Sequence, residues 1–398
     1  MIVFSFILTI ILGYLLLSTA LPFVLSMAGT LFDEITLRKV SKFRKLLVLV
    51  PAYKEDAVIV DTALNSLKQD YPKDLYDVVI IADGLSDKTI QELSEIDVIT
   101  SVVSFKKSTK VKALNHAIRQ HMDDTYEGVA VLDADNVMDD QFLARINEGL
   151  ELGMVAIQGQ RKAKNSDCDI AFLDGVSEAI NNHIYCHGAS RLGLSSRLAG
   201  SGMAFLPHLL RSSLEKSQAI GGFDKELELI LTAQRTRIHY LPKAIVYDEK
   251  VRNRKAFTNQ RARWIQAQYF YLTHHLKYGL WNGIKTGNAD YLIKVFLLSL
   301  PPRLLFPIIL FACAVSSTIY FGGNGIACLL WMFLILNFTS FIIAIPSSYF
   351  KKDSIYKWGG LFSAVIQTIK ALTKTSKARH TFLHTSHGTI SSNNQNLE

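Results

Sequence analysis

Asp133 and Asp135 stand two residues apart at the end of the apolar run Gly128-Val-Ala-Val-Leu132. Carboxylates spaced like this at a strand end can bracket a hard divalent cation together with phosphate oxygens. A lone Asp-x-Asp is more often a solvated turn, but the strand in front of this one favours the metal. A second acid, Asp83, ends the run Asp77-Val-Val-Ile-Ile-Ala82 and is followed by Gly84. Tyr53 ends a third run, Leu46-Leu-Val-Leu-Val-Pro-Ala-Tyr53. Lys110 opens a helical pattern, and Gln260-Arg-Ala-Arg-Trp264 joins three polar side chains to an indole. The set suits binding of an anionic, nucleotide-like ligand. No Gly-x-Gly-x-x-Gly follows the first strand and no Gly-x-x-x-x-Gly-Lys-Ser/Thr occurs, which disfavours dinucleotide oxidoreductases and P-loop enzymes. His183-Ile-Tyr-Cys-His187 has zinc-like spacing but no fourth ligand nearby, so ordinary helix residues are the better reading.

The elements that must position these residues alternate. Continuous apolar runs at 46–53 and 77–83 predict strands buried on both faces, and 99–105 and 127–135 read as two further strands. Helical spacing covers 56–69, 86–94, 110–121 and 141–153. The pattern predicts an α/β, doubly wound fold, in which ligands bind at the carboxyl ends of the strands. Tyr53, Asp83, Asp133 and Asp135 sit at those ends.

The 398 residues are 49% apolar and 20% charged, with net charge +8. Positive mean hydropathy with that charge content excludes a disordered chain and argues against an ordinary soluble enzyme. The charge excess is confined to two flanks. Arg38, Lys39, Lys42, Arg44 and Lys45 face Asp33 and Glu34 in one. Lys351, Lys352, Lys357, Lys370, Lys374, Lys377 and Arg379 face Asp353 and Glu398 in the other. This is not a nucleic-acid surface. Each flank adjoins an uncharged run: 1–32 before the first, and the pair 304–321 and 326–345, joined by Gly322-Gly-Asn-Gly325, before the second. Three spanning helices are expected, with the basic flanks cytosolic and the N-terminus outside. Residues 358–372 read as an interfacial helix, and 266–279 as a membrane-surface helix. Four dispersed cysteines imply no disulfide framework.

In their order along residues 44–270, the motifs resemble the membrane-bound family 2 glycosyltransferases with the GT-A fold, the branch of cellulose, hyaluronan and poly-N-acetylglucosamine synthases. Pro51-Ala-Tyr53-Lys-Glu55 is similar to the first family motif, which lies by the uracil ring, and Asp83-Gly84 to the second, which binds the base. Lys110-Val-Lys-Ala-Leu-Asn115 matches the diphosphate-side lysine motif, with Thr109 in place of a glycine. Asp133-Ala-Asp135 matches the metal motif, and Gly200-Ser-Gly-Met-Ala-Phe205 the acceptor-side glycines. Gln260, Arg263 and Trp264 match Gln-x-x-Arg-Trp, where the Arg braces diphosphate and the Trp stacks on the acceptor sugar. The family's base lies in Thr-Glu-Asp-Leu-Glu-Leu, and this chain departs from it with Asp224-Lys-Glu-Leu-Glu-Leu229. Alignment on Leu-Glu-Leu puts Glu226 at the base, with Glu228 and Asp224 as alternatives.

The resemblance implies an inverting transfer of a hexose or N-acetylhexosamine from a UDP-sugar, with Mg2+ or Mn2+, onto a saccharide or lipid-linked acceptor. It implies a bacterial plasma-membrane enzyme in contact with lipid, and no nucleic-acid partner. The expected organisation is a membrane helix (1–32), a cytosolic GT-A domain (33–256), interfacial helices carrying Gln260 to Trp264 (257–292), a membrane hairpin (293–350) and a basic cytosolic tail (351–398). Two alternatives remain: a processive synthase coupled to export, which with three spans would need an oligomer or partner subunit as conduit, and a catalytically silent membrane scaffold or transporter subunit.

Overall fold

The computed structural model describes residues 2–32, 42–219, 221–323 and 325–378. Arg38, Lys39, Asn324, Arg379 and the tail 380–398, used in the topology argument, lie outside them. The described chain forms two compact units. One is built from residues 42–165 and 198–251, the other from 2–32, 166–197 and 252–378.

The first unit is a mixed eight-stranded sheet. Its strands are β1 (Leu46–Tyr53), β2 (Tyr76–Asp83), β3 (Ile99–Val103), β4 (Gly128–Val131), β5 (Val137–Met138), β6 (Ala156–Ala163), β7 (Met203–Phe205) and β8 (His239–Asp248). The order is β3-β2-β1-β4-β7-β6-β8-β5. The first four are mutually parallel; β7 runs antiparallel to β4 and β6, and β5 antiparallel to β8. Leu46–Val50 are buried because β1 lies between two parallel neighbours with helices over the sheet. Leu47, Leu49, Val79, Ile81 and Val131 pack on Val111, Leu114 and Ile118 of the helix Lys110–His121 and on Leu210 and Leu214 of the helix Pro207–Lys216. The strand expected over 127–135 ends earlier, at Val131. After Leu132 the chain turns, with the Asn136 amide donating to the Asp133 carbonyl at 3.1 Å. Both aspartates therefore lie in the loop beyond the strand.

The second unit is helical. Asp169–Asn181 continues through a π-helical turn, Asn182–Gly188, where a β-carbon on Gly188 would come within 1.9 Å of the Leu25 carbonyl oxygen. Glycine is thus needed for the helix Ile2–Leu31 to pass. The Gln260–Trp264 segment lies in one 33-residue helix, Arg254–Thr286, ended by Gly287 at φ +61°. A helix, Leu361–Ala378, covers most of the expected 358–372 segment, and its Gln367 accepts from the Thr258 hydroxyl at 2.9 Å. Among the described residues two helices, Ser5–Leu31 within the first and Gly325–Ala344, are long and apolar enough to cross a membrane. The third expected span is the 16-residue apolar helix Phe306–Phe321, which at 1.5 Å per residue reaches about 24 Å. Pro301 and Pro302 before it and Gly322 and Gly323 after it limit its length.

Candidate active site

The carboxyl ends of β1 and β2 open on a cavity of about 430 Å³ lined by Tyr53, Lys54, Asp83, Gly84, Val102 and Phe105, among others. Parallel pairing sets Tyr53 opposite Asp83 and Pro51 opposite Ile81. Beyond Tyr53 the chain bends sharply: Lys54 takes φ +56° and donates its amide to the Asp83 carbonyl at 3.1 Å. A side chain at positive φ stores strain, and such strain collects at functional sites. Asp83 is buried at the cavity wall. The Glu55 carbonyl accepts the amides of Val58 and Ile59, starting the next helix. Asp56, which the motifs did not mark, takes the Ser86 amide and the Thr89 hydroxyl, each at 2.7 Å, and so ties the β1 and β2 loops together. Partial burial opposes its charge, but these hydrogen bonds prevail and hold its carboxyl below the usual range. The sequence signal was the acid beside Glu55 and the Ser86-x-x-Thr89 helix start.

A second group of polar residues gathers past β4. Thr109 caps the helix Lys110–His121, its hydroxyl accepting the Lys112 amide at 3.3 Å, which accounts for Thr at the glycine position. Lys110, the first helical residue, is ion-paired with Asp133, donates to the Gly200 carbonyl at 2.8 Å and lies 4.9 Å above the Phe223 ring. The Asp133 amide donates to the Ser201 hydroxyl at 2.9 Å. Gly200 and Gly202 adopt φ +84° and +63°, and a β-carbon on Gly202 would meet Val246 at 2.7 Å. Asp135 is buried.

The acids of the helix Phe223–Ala233 point three ways. Glu226 accepts from the Ser217 hydroxyl and from the Gln218 amide at 3.3 Å. Glu228 accepts the Leu198 amide at 2.9 Å. Asp224 flanks the glycine loop, its Cγ 3.9 Å from where a Gly200 β-carbon would stand.

In the helical unit, Gln260, Arg263 and Trp264 occupy successive turns of Arg254–Thr286. Arg261 between them is ion-paired with Asp174 and lies over the rings of Phe257 at 4.8 Å and Trp264 at 4.6 Å. It braces the motif. The Gln260 Oε1 is buried with no hydrogen-bond partner among the described residues. His183 meets the Ser26 carbonyl at 2.9 Å and His187 accepts from Arg191 Nε at 3.0 Å. Among the described residues no three His, Cys, Asp or Glu side chains gather as a metal cage. Mg2+ and Mn2+ at nucleotide sites use one or two carboxylates plus phosphate oxygens. The oxygen donors of Asp133 and Asp135 fit that arrangement.

A family model described as glycosyltransferase like family 2 matches residues 44–267. The chain is 25% identical over 248 residues to a probable glycosyltransferase, YdaM, of Bacillus subtilis, covering 57% of this chain and 56% of that protein. It is 24% identical over 271 residues to a poly-β-1,6-N-acetyl-D-glucosamine synthase of Staphylococcus epidermidis, covering 62% and 59%. It thus spans less than two thirds of the length of either relative. A mannosyltransferase from Pyrobaculum calidifontis, solved with GDP-Man and Mn2+, superposes with a TM-score of 0.57 at 17% identity, covering 92% of this chain and 97% of that one. That likeness shows the GT-A fold. With a sheet of this order and motif loops at its strand ends, the chain belongs to the family 2 glycosyltransferases.

Proposed function

We propose that the chain is a membrane-bound inverting glycosyltransferase that moves a hexose or N-acetylhexosamine from a UDP-sugar to a saccharide or lipid-linked acceptor at the cytosolic membrane face. The observation that carries this reading is the cavity at the ends of β1 and β2, with Asp83 in its wall, on the same sheet edge as Lys110, Asp133 and Asp135. Tyr53, Pro51 and Glu55 shape the first loop, and Tyr53 and Asp83 would hold the uracil. A Mg2+ or Mn2+ ion on Asp133 and Asp135 would supply neutralisation of the leaving diphosphate. Lys110 holds a positive charge beside Asp133 and would add to that neutralisation. Arg263 is given to the diphosphate and Trp264 to the acceptor sugar, with Gln260 supporting them.

The base takes a proton from the acceptor hydroxyl as its oxygen bonds to the anomeric carbon and the bond to the UDP oxygen breaks. Motif register pointed to Glu226. We assign the role to Asp224, because Glu226 is engaged by Ser217 and Gln218, while Asp224 borders the Gly200–Gly202 loop that touches Lys110 and Asp133. The name of the Staphylococcus epidermidis relative favours N-acetylglucosamine as the sugar and supports the processive alternative. Membrane attachment is supported by the helix Ile2–Leu31, which leaves Phe6, Ile10 and Leu17 exposed, as a core helix of a soluble protein would not.

Purified full-length protein supplied with a panel of labelled UDP-sugars tests the reading. UDP release with one N-acetylhexosamine or hexose donor is expected, and product sizing separates single additions from a polymer ladder. Absence of transfer from every UDP-sugar, in the presence of membrane extract as acceptor source, contradicts it.

A further inference from the structure

Behind the two aspartates lies a buried polar network that no motif marked. Asn136 is fully buried, and its side-chain amide donates to Asp135 Oδ1 at 3.2 Å and to Asp248 Oδ1 at 3.1 Å. Carboxylates only accept, so the nitrogen must face them and the amide oxygen must point away. That oxygen accepts from the Ser201 hydroxyl, the same hydroxyl that receives the Asp133 amide at 2.9 Å. On the far side, Asp248 is fixed by Arg161 at 2.6 Å and by Lys250, and Arg161 also donates to the Ala199 carbonyl at 2.6 Å. Lys250 is in turn held through its backbone, which exchanges two hydrogen bonds with the Asn165 side chain at 2.7 and 3.0 Å.

Asp133 is ion-paired with Lys110. The Asn136 side-chain amide donates to Asp135, and an amide fixed in that place sets the carboxylate's rotamer. The amide cannot drift, because Ser201 holds one end and Asp248 the other, and Asp248 is anchored by two cations on β6 and just past β8. We propose that Asn136 is a positioning residue that, braced by Ser201 and Asp248, orients the Asp135 carboxylate toward the divalent cation that accompanies the nucleotide donor. The proposal rests on the reading of Asp135 as a metal ligand.

Partners behind a metal ligand typically change affinity 10- to 100-fold when lost. The test is a Mn2+ titration followed by electron paramagnetic resonance on detergent-purified full-length protein with saturating UDP. Asn136→Ala is expected to raise the Mn2+ dissociation constant about tenfold or more. The affinity for UDP measured in excess chelator should stay unchanged, a readout that general loosening of the fold would move. Asp135→Ala should abolish Mn2+ binding. Retention of Mn2+ by Asp135→Ala brings down the metal-site reading itself. Loss in Asp135→Ala with unchanged affinity in Asn136→Ala overturns only the role of Asn136. Should Asn136→Ala fail to give a monodisperse, cooperatively melting protein, Ser201→Ala decides. A several-fold weaker Mn2+ affinity supports the proposal, and an unchanged one overturns it.

Discussion

Glu226 and Asp224 show what one side chain's partners decide. Both are acids on one helix two residues apart, and pattern matching on the following leucines preferred Glu226. A carboxylate that accepts a hydroxyl and a backbone amide is committed to holding a turn, as Glu226 holds Ser217 and Gln218. Asp224 stands at the glycine loop instead. Loss of a general base costs about 10²–10⁴ in rate. Asp224→Asn is therefore expected to lower kcat by that order with little change in KM for the donor, whereas Glu226→Gln should keep most of its turnover. Steady-state UDP release measures both, and the reverse ranking returns the role to Glu226. The same reasoning limits what sequence could reveal of the site. Tyr53, Asp83 and Lys110 stand out in the sequence because each ends or opens an element, and Asp133 and Asp135 because they follow closely on the apolar run of β4. Asp56, Asn136 and Asp248 do not, since each also depends on a partner 30 or more positions away.

At the level of elements, parallel strands buried on both faces write themselves as continuous apolar runs, as β1 and β2 do, and these two and the half-exposed edge strand β3 start and end within two residues of the expected limits. The short strands β5 and β7, with two and three residues, carry no such signal. Their place is set by antiparallel pairing with β8, β4 and β6. The long helix Arg254–Thr286 was read in pieces because polar and apolar residues surround it on all sides and leave no single stripe to follow. The two glycines of the Gly200-Ser-Gly202 turn are both required by backbone angle, but they differ in space. A β-carbon on Gly200 finds its nearest neighbours at 3.8 Å, while one on Gly202 meets Val246 at 2.7 Å. Gly200→Ala should cost about 1–2 kcal/mol from positive φ alone. Gly202→Ala adds overpacking of about 1–3 kcal/mol. Denaturant melts should rank Gly202→Ala as the less stable, and equal midpoints would refute the steric account.

Across the whole molecule, electrostatics is local. Asp248 is fully enclosed, and burial alone would raise its pKa; Arg161 and Lys250 outweigh that and hold the carboxyl below the usual carboxylate range. A depressed folded pKa contributes stability that is present above the unfolded value and lost as pH falls through the folded one. Asp56 acts in the same direction. Thermal midpoints should therefore hold through neutral pH and fall below about pH 4, the unfolded carboxylate range. Asp248→Ala removes the buried carboxylate that Arg161 and Lys250 share, at a cost of about 3–5 kcal/mol, and should melt far below wild type at pH 7. The net charge of +8 gave no hint of this, because its excess lies in the flanks beside the apolar helices, while Asp248 and Asp133 are bridged locally within the sheet unit.

The proposed substrate of the loop carrying Asp133 and Asp135 is a UDP-sugar. The most direct test is metal-dependent UDP release from labelled UDP-N-acetylglucosamine and UDP-hexoses by purified full-length protein, with Asp135→Ala prepared in parallel. Wild type should release UDP from at least one donor only when Mg2+ or Mn2+ is supplied, and Asp135→Ala should be silent while melting like wild type. Release that persists in Asp135→Ala or in excess chelator would contradict the account.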